Sequence, residues 1–250
     1  MVSLSPLSSE LLVGLGAAAA VVGVDADSHR LPALGHVPVV TLPEAAALEP
    51  DLIVVPTLQG EPERARTALP ALGVDVLQVD AHDFDEAFEL CRLLGSWVGR
   101  SDLADEFVRE RAHAFARVST ASFGQRRPRI AAVVQLSPLE VAGGHSFTTN
   151  LIEIAGAESV THGSEERRVP MTPAQLLDTA PDLVLVVRAS EFAASERRAV
   201  REALAEAPRL AFLVYDADRF PVRDAPGAAR RLRELVAPLS RELAAADARR

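Results

Sequence analysis

The stretch Ala45-Ala46-Ala47-Leu48-Glu49-Pro50-Asp51-Leu52-Ile53-Val54-Val55 has a counterpart far downstream, Gln175-Leu176-Leu177-Asp178-Thr179-Ala180-Pro181-Asp182-Leu183-Val184-Leu185-Val186-Val187. Each reads as a short helix, a Pro-Asp stop and an apolar strand. Proline has no N–H with which to continue the helix, and it biases the residue before it away from helical geometry. The run that follows is apolar, β-branched and without alternation, which fits a strand covered on both faces. The two Pro-Asp pairs stand 131 residues apart in a chain of 250. That spacing predicts two similar α/β lobes, and a two-lobed protein usually works in the cleft between them.

Outward from the repeat, strands and helices alternate. Val2–Leu4 and Val21–Val24 read as strands, separated by a helix capped at Ser8-Ser9-Glu10. Leu52–Val55 and Val74–Val79 are strands, with a helix expected over Glu61–Leu72. Phe84–Val98 carries an apolar helical face that includes Cys91 and Trp97. Ser101 to about Ser122 forms a longer helix with acidic residues in its first turn, roughly 30 Å long at 1.5 Å per residue. The alternation then restarts: strand Ile130–Leu136, helix Phe147–Ala155, the second Pro-Asp strand, helix Ser195–Glu206, strand Ala211–Val214 and a final helix from Gly227 to Ala245. The fold class is therefore α/β, with residues 1–100 as a first lobe, 101–122 as a connecting helix and 123–250 as a second lobe. Alternation of this kind implies parallel sheets with helices on both faces.

Composition removes several function classes. The net charge of −9 argues against nucleic acid or an anionic membrane as main partner. All 26 basic residues are arginine, so Schiff-base and P-loop lysine chemistry is absent. One cysteine allows no intramolecular disulfide and no thiolate cluster. No apolar run approaches the ~20 residues of a membrane span. Met1 leads at once into a strand, with no charged n-region or h-region before it. The expectation is a cytoplasmic protein, or a periplasmic or lipid-anchored one if a signal peptide lies upstream.

Ligands of parallel sheets sit off the carboxyl ends of the strands. That rule selects Ser5-Pro6, Asp25–His29, Thr57–Gly60, Asp80–Asp83, Ser137-Pro138, Gly143–Phe147, Arg188–Glu191 and Asp216–Phe220. Gly14-Leu15-Gly16 matches a dinucleotide-binding glycine pattern, but it falls at a helix end and reads as a C-cap. Asp25, Asp27 and His29 alternate acid and imidazole, as a hard-metal site would, and equally as a polar loop would. His36, His82 and His145 are further imidazoles, but no His-Glu-x-x-His or Cys-x-x-Cys spacing is present. Ser137, His145 and Asp216 could be drawn as a nucleophilic triad, without the Gly-x-Ser-x-Gly elbow. Gly143-Gly144 before a helix allows close backbone approach to a ligand, or an ordinary turn with Ser146 as cap. Arg188, directly after a strand, is placed to meet a ligand's anionic group.

The opening Val2-Ser3-Leu4-Ser5-Pro6 with Ser9-Glu10-Leu11-Leu12 and Leu15-Gly16 resembles the start of the helical-backbone metal receptors. These are the substrate-binding proteins of vitamin B12, ferric siderophore and haem transporters. Val21–Val24, both Pro-Asp units, Asn150–Glu158 and the single long helix continue the resemblance over nearly the whole chain. It implies two Rossmann-like lobes joined by one backbone helix, a shallow cleft for a metal chelate, and no catalysis. Exported relatives place a glutamate seven residues before each Pro-Asp proline, and these grip arginines on the ABC permease. Here those positions are Pro43 and Ala174. Glu44 is one residue away in the first lobe, and the second offers only Gln175.

This family's fold without an export signal or docking glutamates is read as a cytoplasmic carrier or sensor of cobalamin, haem or a ferric siderophore, with no cofactor required; the alternatives are an exported receptor with a mis-assigned start and a small-molecule enzyme using the cleft histidines. The candidate ligand-binding residues are Ser5, Asp25, Asp27, His29, Gln59, His82, Ser137, His145, Phe147, Arg188, Tyr215, Asp216 and Arg219. For haem, the expected axial donors are His29, His82, His145 and Tyr215. For a siderophore, Arg188 and Arg219 would offset its negative charge. With 4% aromatic residues, a polar or anionic ligand is favoured over a large flat one.

Overall fold

In the computed structural model, which describes residues 1–57, 73–122 and 124–249, both Pro-Asp units form a helix, a turn and a strand. The correspondence is residue by residue. Thr41 caps a helix Leu42–Ala46 and Thr172 caps a helix Pro173–Asp178. Glu49 and Ala180 then both adopt left-handed backbone, with φ 47° and 50°. That conformation ends each helix just before its proline. The strands Leu52–Pro56 and Leu183–Arg188 follow, and their residues 52–55 and 183–187 are all buried. Each such side chain contributes about 1.5–3 kcal/mol on removal from water.

The chain divides into two units, Met1–Glu110 and Arg111–Arg250. The first holds strands β1 (Val2–Ser3), β2 (Gly23–Val24), β3 (Leu52–Pro56) and β4 (Asp75–Val79), with helices α1 (Pro6–Gly14), α2 (Leu42–Ala46) and α3 (Phe84–Trp97). Its sheet runs β2-β1-β3-β4, all parallel. On one face Val2, Ala45, Ile53 and Val55 pack together, while α1 packs against α3. The expected helix over 61–72 lies outside the described residues. Helix α4 (Ser101–Thr120) follows, and the division between the units falls within it.

The second unit holds β5 (Arg129–Leu136), β6 (Leu139–Ala142), β7 (Glu158–Ser159), β8 (Arg168–Pro170), β9 (Leu183–Arg188) and β10 (Leu210–Val214). Its helices are α5 (Phe147–Ile154), α6 (Pro173–Asp178), α7 (Ala194–Ala203) and α8 (Ala225–Asp247). The sheet runs β10-β9-β5-β6-β8, with β7 paired to β5. The β10–β9–β5 part is parallel, as alternation implies, but β6 and β8 are antiparallel additions. The strand ends at Leu136, as expected, and the chain then turns through Ser137-Pro138 and returns as an unexpected strand, Leu139-Glu140-Val141-Ala142, against β5.

Two helix ends differ in an informative way. Helix α1 starts at Pro6 with Ser5 as its N-cap, not at Ser8–Glu10, because proline suits the first position, where an N–H would be orphaned. Its other end confirms the C-cap reading of Gly14-Leu15-Gly16. Gly16 has φ +65°, its N–H bonds Val13 O at 3.0 Å, and Ala17 N–H reaches back to Leu12 O at 2.8 Å. This is the paired closing pattern of a Schellman motif. Trp97, expected on the buried stripe of α3, is instead its last residue and 49% exposed.

Candidate functional site

In the first unit, the residues that follow strand ends largely satisfy one another. Ser5 is buried and its Oγ accepts from Ser8 N–H at 3.4 Å, capping α1. Ser9 Oγ donates to Ser3 Oγ at 2.8 Å beneath it. After β2, the Asp25 carboxylate accepts from the N–H groups of Asp27 and Ser28 at 2.8 and 3.0 Å, and from the Ser28 hydroxyl. Asp25 is thus the anchor of a turn, which accounts for a polar cluster without a metal. Asp27 faces Arg30 at 3.6 Å.

His29 behaves differently. Its Nδ1 lies 3.0 Å from the Val37 carbonyl, which can only accept, so Nδ1 carries a proton and a neutral ring would present Nε2 as a lone pair. That is the tautomer of a metal-ligating histidine. His82, after β4, is 11% exposed, with Nε2 2.7 Å from Asp80 Oδ1. Its backbone N–H donates to Glu86 at 2.7 Å, and Asp83 caps α3 through Glu86 N–H at 2.9 Å. Gln59 lies outside the described residues.

In the second unit, Ser137 is exposed at the tip of the β5–β6 turn, preceding a cis proline. The Gly143–Phe147 loop is built for its own chain. A Cβ on Gly143 would lie 1.9 Å from the Glu166 carbonyl oxygen, and one on Gly144 2.3 Å from that of His162. The glycines therefore admit the 162–166 backbone, a close approach made by the chain's own main chain. Ser146 caps α5 through Thr149 N–H at 3.2 Å, and Phe147 is buried. His145 sits half-buried between the paired glycines and that cap.

The arginines at strand ends are already paired. Arg188 donates to Glu196 at 2.7 Å and to Ser190 at 2.8 Å. Arg219 Nε sits 3.1 Å from Asp216 Oδ2 and 3.3 Å from Oδ1. Tyr215 is 3% exposed and its hydroxyl donates to the Pro221 carbonyl at 2.8 Å, so its ring supports the loop from inside. Asp216, the carboxylate of the triad drawn with Ser137 and His145, is bound to Arg219.

Arg168 organises this edge. Its guanidinium donates to Glu140 at 3.1 Å and to both Asp218 oxygens at 2.9 Å. Burial alone would lower its pKa, but the Asp218 and Glu140 carboxylates outweigh that and raise it. Because β8 and β10 are opposite edges of the sheet, the pair draws the segment after β10 across to the β6–β8 side. Nothing in the local composition distinguishes Arg168 from the neighbouring Arg167.

Among the described residues, no helix is long and apolar enough to cross a membrane. The family described as "Periplasmic binding protein" matches residues 1–213. A vitamin B12-binding protein of Salmonella typhimurium is 25% identical over 192 residues, covering 74% of this chain and 71% of that protein. An ABC transporter substrate-binding protein from Listeria monocytogenes superposes with a TM-score of 0.77 at 15% identity, over 94% of this chain and 97% of that one. A periplasmic heme binding protein from Pseudomonas aeruginosa gives 0.74 at 24% identity, over 96% and 92%.

Proposed function

The chain belongs to the periplasmic binding protein family, and from that premise we propose that it binds a metal-containing tetrapyrrole, cobalamin first and haem second, without chemical turnover. The observation that carries this reading is the likeness to the vitamin B12-binding protein over three-quarters of the chain. Charge supports it. Of the arginines expected to neutralise a ferric siderophore, Arg188 is bound to Glu196 in the first turn of α7 and Arg219 to Asp216 of its own loop. An edge neutralised in this way suits a ligand of low net charge better than a polyanion. His29, His82 and His145 are the proposed donors, and Ser137, Asp216 and Arg219 the proposed polar contacts. Tyr215 is left out of that set because its hydroxyl is engaged inside the loop. His29 stands first among the donors because the Val37 carbonyl fixes its tautomer.

The test is equilibrium titration of the full chain with cyanocobalamin, haemin and an anionic ferric catecholate siderophore, followed by absorbance and calorimetry. Saturable 1:1 binding of cobalamin or haem supports the proposal. Binding of the siderophore alone corrects the ligand class, and binding of none refutes the reading.

As to its place in the cell, we propose a carrier or sensor rather than a permease-docked receptor. Pro43 and Ala174 are exposed and uncharged, and the neighbouring Glu44 and Gln175 are held in the capping of their own helices. The relatives, transporter substrate-binding proteins among them, favour the receptor reading. Fractionation of cells expressing the gene with its upstream DNA decides between them: recovery outside the cytoplasm refutes the carrier.

A further inference from the structure

Helix α7 does not close fully on the sheet. A cavity of about 340 Å³ opens between its flank and the carboxyl ends of β5 and β9, wholly within the second unit. That is the lower end of the range for small-molecule sites. Val186, Phe192 and Val200 supply apolar walls, and Gln135, Arg188 and Glu196 are its polar lining.

The polar groups are set before any guest arrives. The Arg188 guanidinium lies 5.1 Å from the Phe192 ring centroid, and its two ends are tied to Glu196 and Ser190. Glu196 is tied in turn, accepting Ala193 N–H at 2.7 Å through its other oxygen. The cavity therefore presents one fixed cation beside one fixed anion. A guest with a single charge is attracted by one member of the pair and repelled by the other. A zwitterion can meet both, its carboxylate on Arg188 and its ammonium on Glu196. Arg188 has donors left after these contacts, and a carboxylate accepts several hydrogen bonds. The apolar walls then require an apolar side chain on the same small molecule.

We infer that this cavity binds a free α-amino acid with a large apolar side chain. This goes beyond the chelate reading and does not depend on it.

The test uses the full chain and three compounds with one apolar body: L-phenylalanine, 3-phenylpropanoate, which keeps only the anion, and phenethylamine, which keeps only the cation. Binding is read by ligand-observed NMR. For a guest of this size the expected Kd for phenylalanine is on the order of 1 mM, with both single-charge analogues weaker by about tenfold. R188M and E196Q each lower the phenylalanine affinity by about tenfold. A199W, at an exposed position on the cavity rim, blocks binding while leaving the unfolding midpoint in place. Absence of phenylalanine binding, equal binding of all three compounds, or binding unchanged in a folded A199W each overturns the inference.

Discussion

The Tyr215 hydroxyl donates to the Pro221 carbonyl at 2.8 Å, closing the segment between β10 and α8 on itself. Both groups are taken out of water, so removing the donor leaves a buried carbonyl unsatisfied. Tyr215→Phe should cost about 1–2 kcal/mol in urea denaturation. It should leave chelate affinity and any haem spectrum unchanged. A lost charge-transfer band in the haem complex of the variant would place the hydroxyl on the metal instead.

The Thr41–Glu44 and Thr172–Gln175 pairs occupy equivalent places in the repeat, but only one titrates. The Glu44 carboxylate accepts from the Thr41 N–H and hydroxyl, both at 2.8 Å, and these bonds hold its pKa below the usual value. A depressed folded-state pKa contributes stability above the ordinary carboxylate pKa, and that contribution is lost as pH falls through the folded value. Acid should therefore loosen α2 and spare α6, read as faster amide exchange at Ala45 than at Leu176. Glu44→Gln should remove the difference. In the second unit Thr172 accepts Gln175 N–H at 3.2 Å, and Thr172→Ala should cost about 1 kcal/mol at any pH. Equal acid sensitivity of the two helices would contradict this account.

The parts of the fold that were readable are those where backbone chemistry leaves a mark on residue type. Pro50 and Pro181 each follow a left-handed residue that closes a helix, and the apolar, β-branched runs after them form strands whose residues 52–55 and 183–187 are buried. The β6 strand escaped notice because a two-residue turn and four residues of weak alternation look like the tail of a loop. The site was less legible for a different reason. Asp25, Arg188 and Arg219 are the residue types a ligand loop needs, and they are equally the types a loop uses to satisfy its own backbone and charges. Residue type shows that a hydrogen bond is made; which group receives it depends on folded neighbours such as Glu196 and Asp216. His29 shows the converse. Its value lies in the Val37 carbonyl eight residues away, which no local spacing reveals.

Gly143 and Gly144 are read as glycines required by packing, and that reading is exposed to a simple substitution. The Glu166 carbonyl oxygen occupies the place a Cβ would take on Gly143. Backbone cannot rotate away as a side chain does, so Gly143→Ala should displace the 162–166 segment and cost about 3 kcal/mol. Gly163→Ala, with open space at its Cβ position, is the control and should be nearly neutral. Were the paired glycines kept for ligand approach alone, Gly143→Ala would lower affinity while leaving stability intact.

The Arg168–Asp218 pair joins the segment after β10 to the edge strand on the far side of the sheet. Arg168 is about one-third exposed, and solvent screening keeps the direct energy of such a pair to roughly 1 kcal/mol or less. Its consequence is positional. Without the guanidinium, Asp218 has no tether to β8, while Asp216 keeps Arg219 beside it. A double-mutant cycle on Arg168→Met and Asp218→Asn should therefore give a small coupling in global stability. The same variants should speed amide exchange over residues 216–220 well beyond that coupling, because only local opening is released. Chelate affinity should fall in both single variants and no further in the double, since either change frees the same segment. Additive losses in affinity would mean that Arg168 and Asp218 each touch the ligand, and the pair would then belong to the binding set itself.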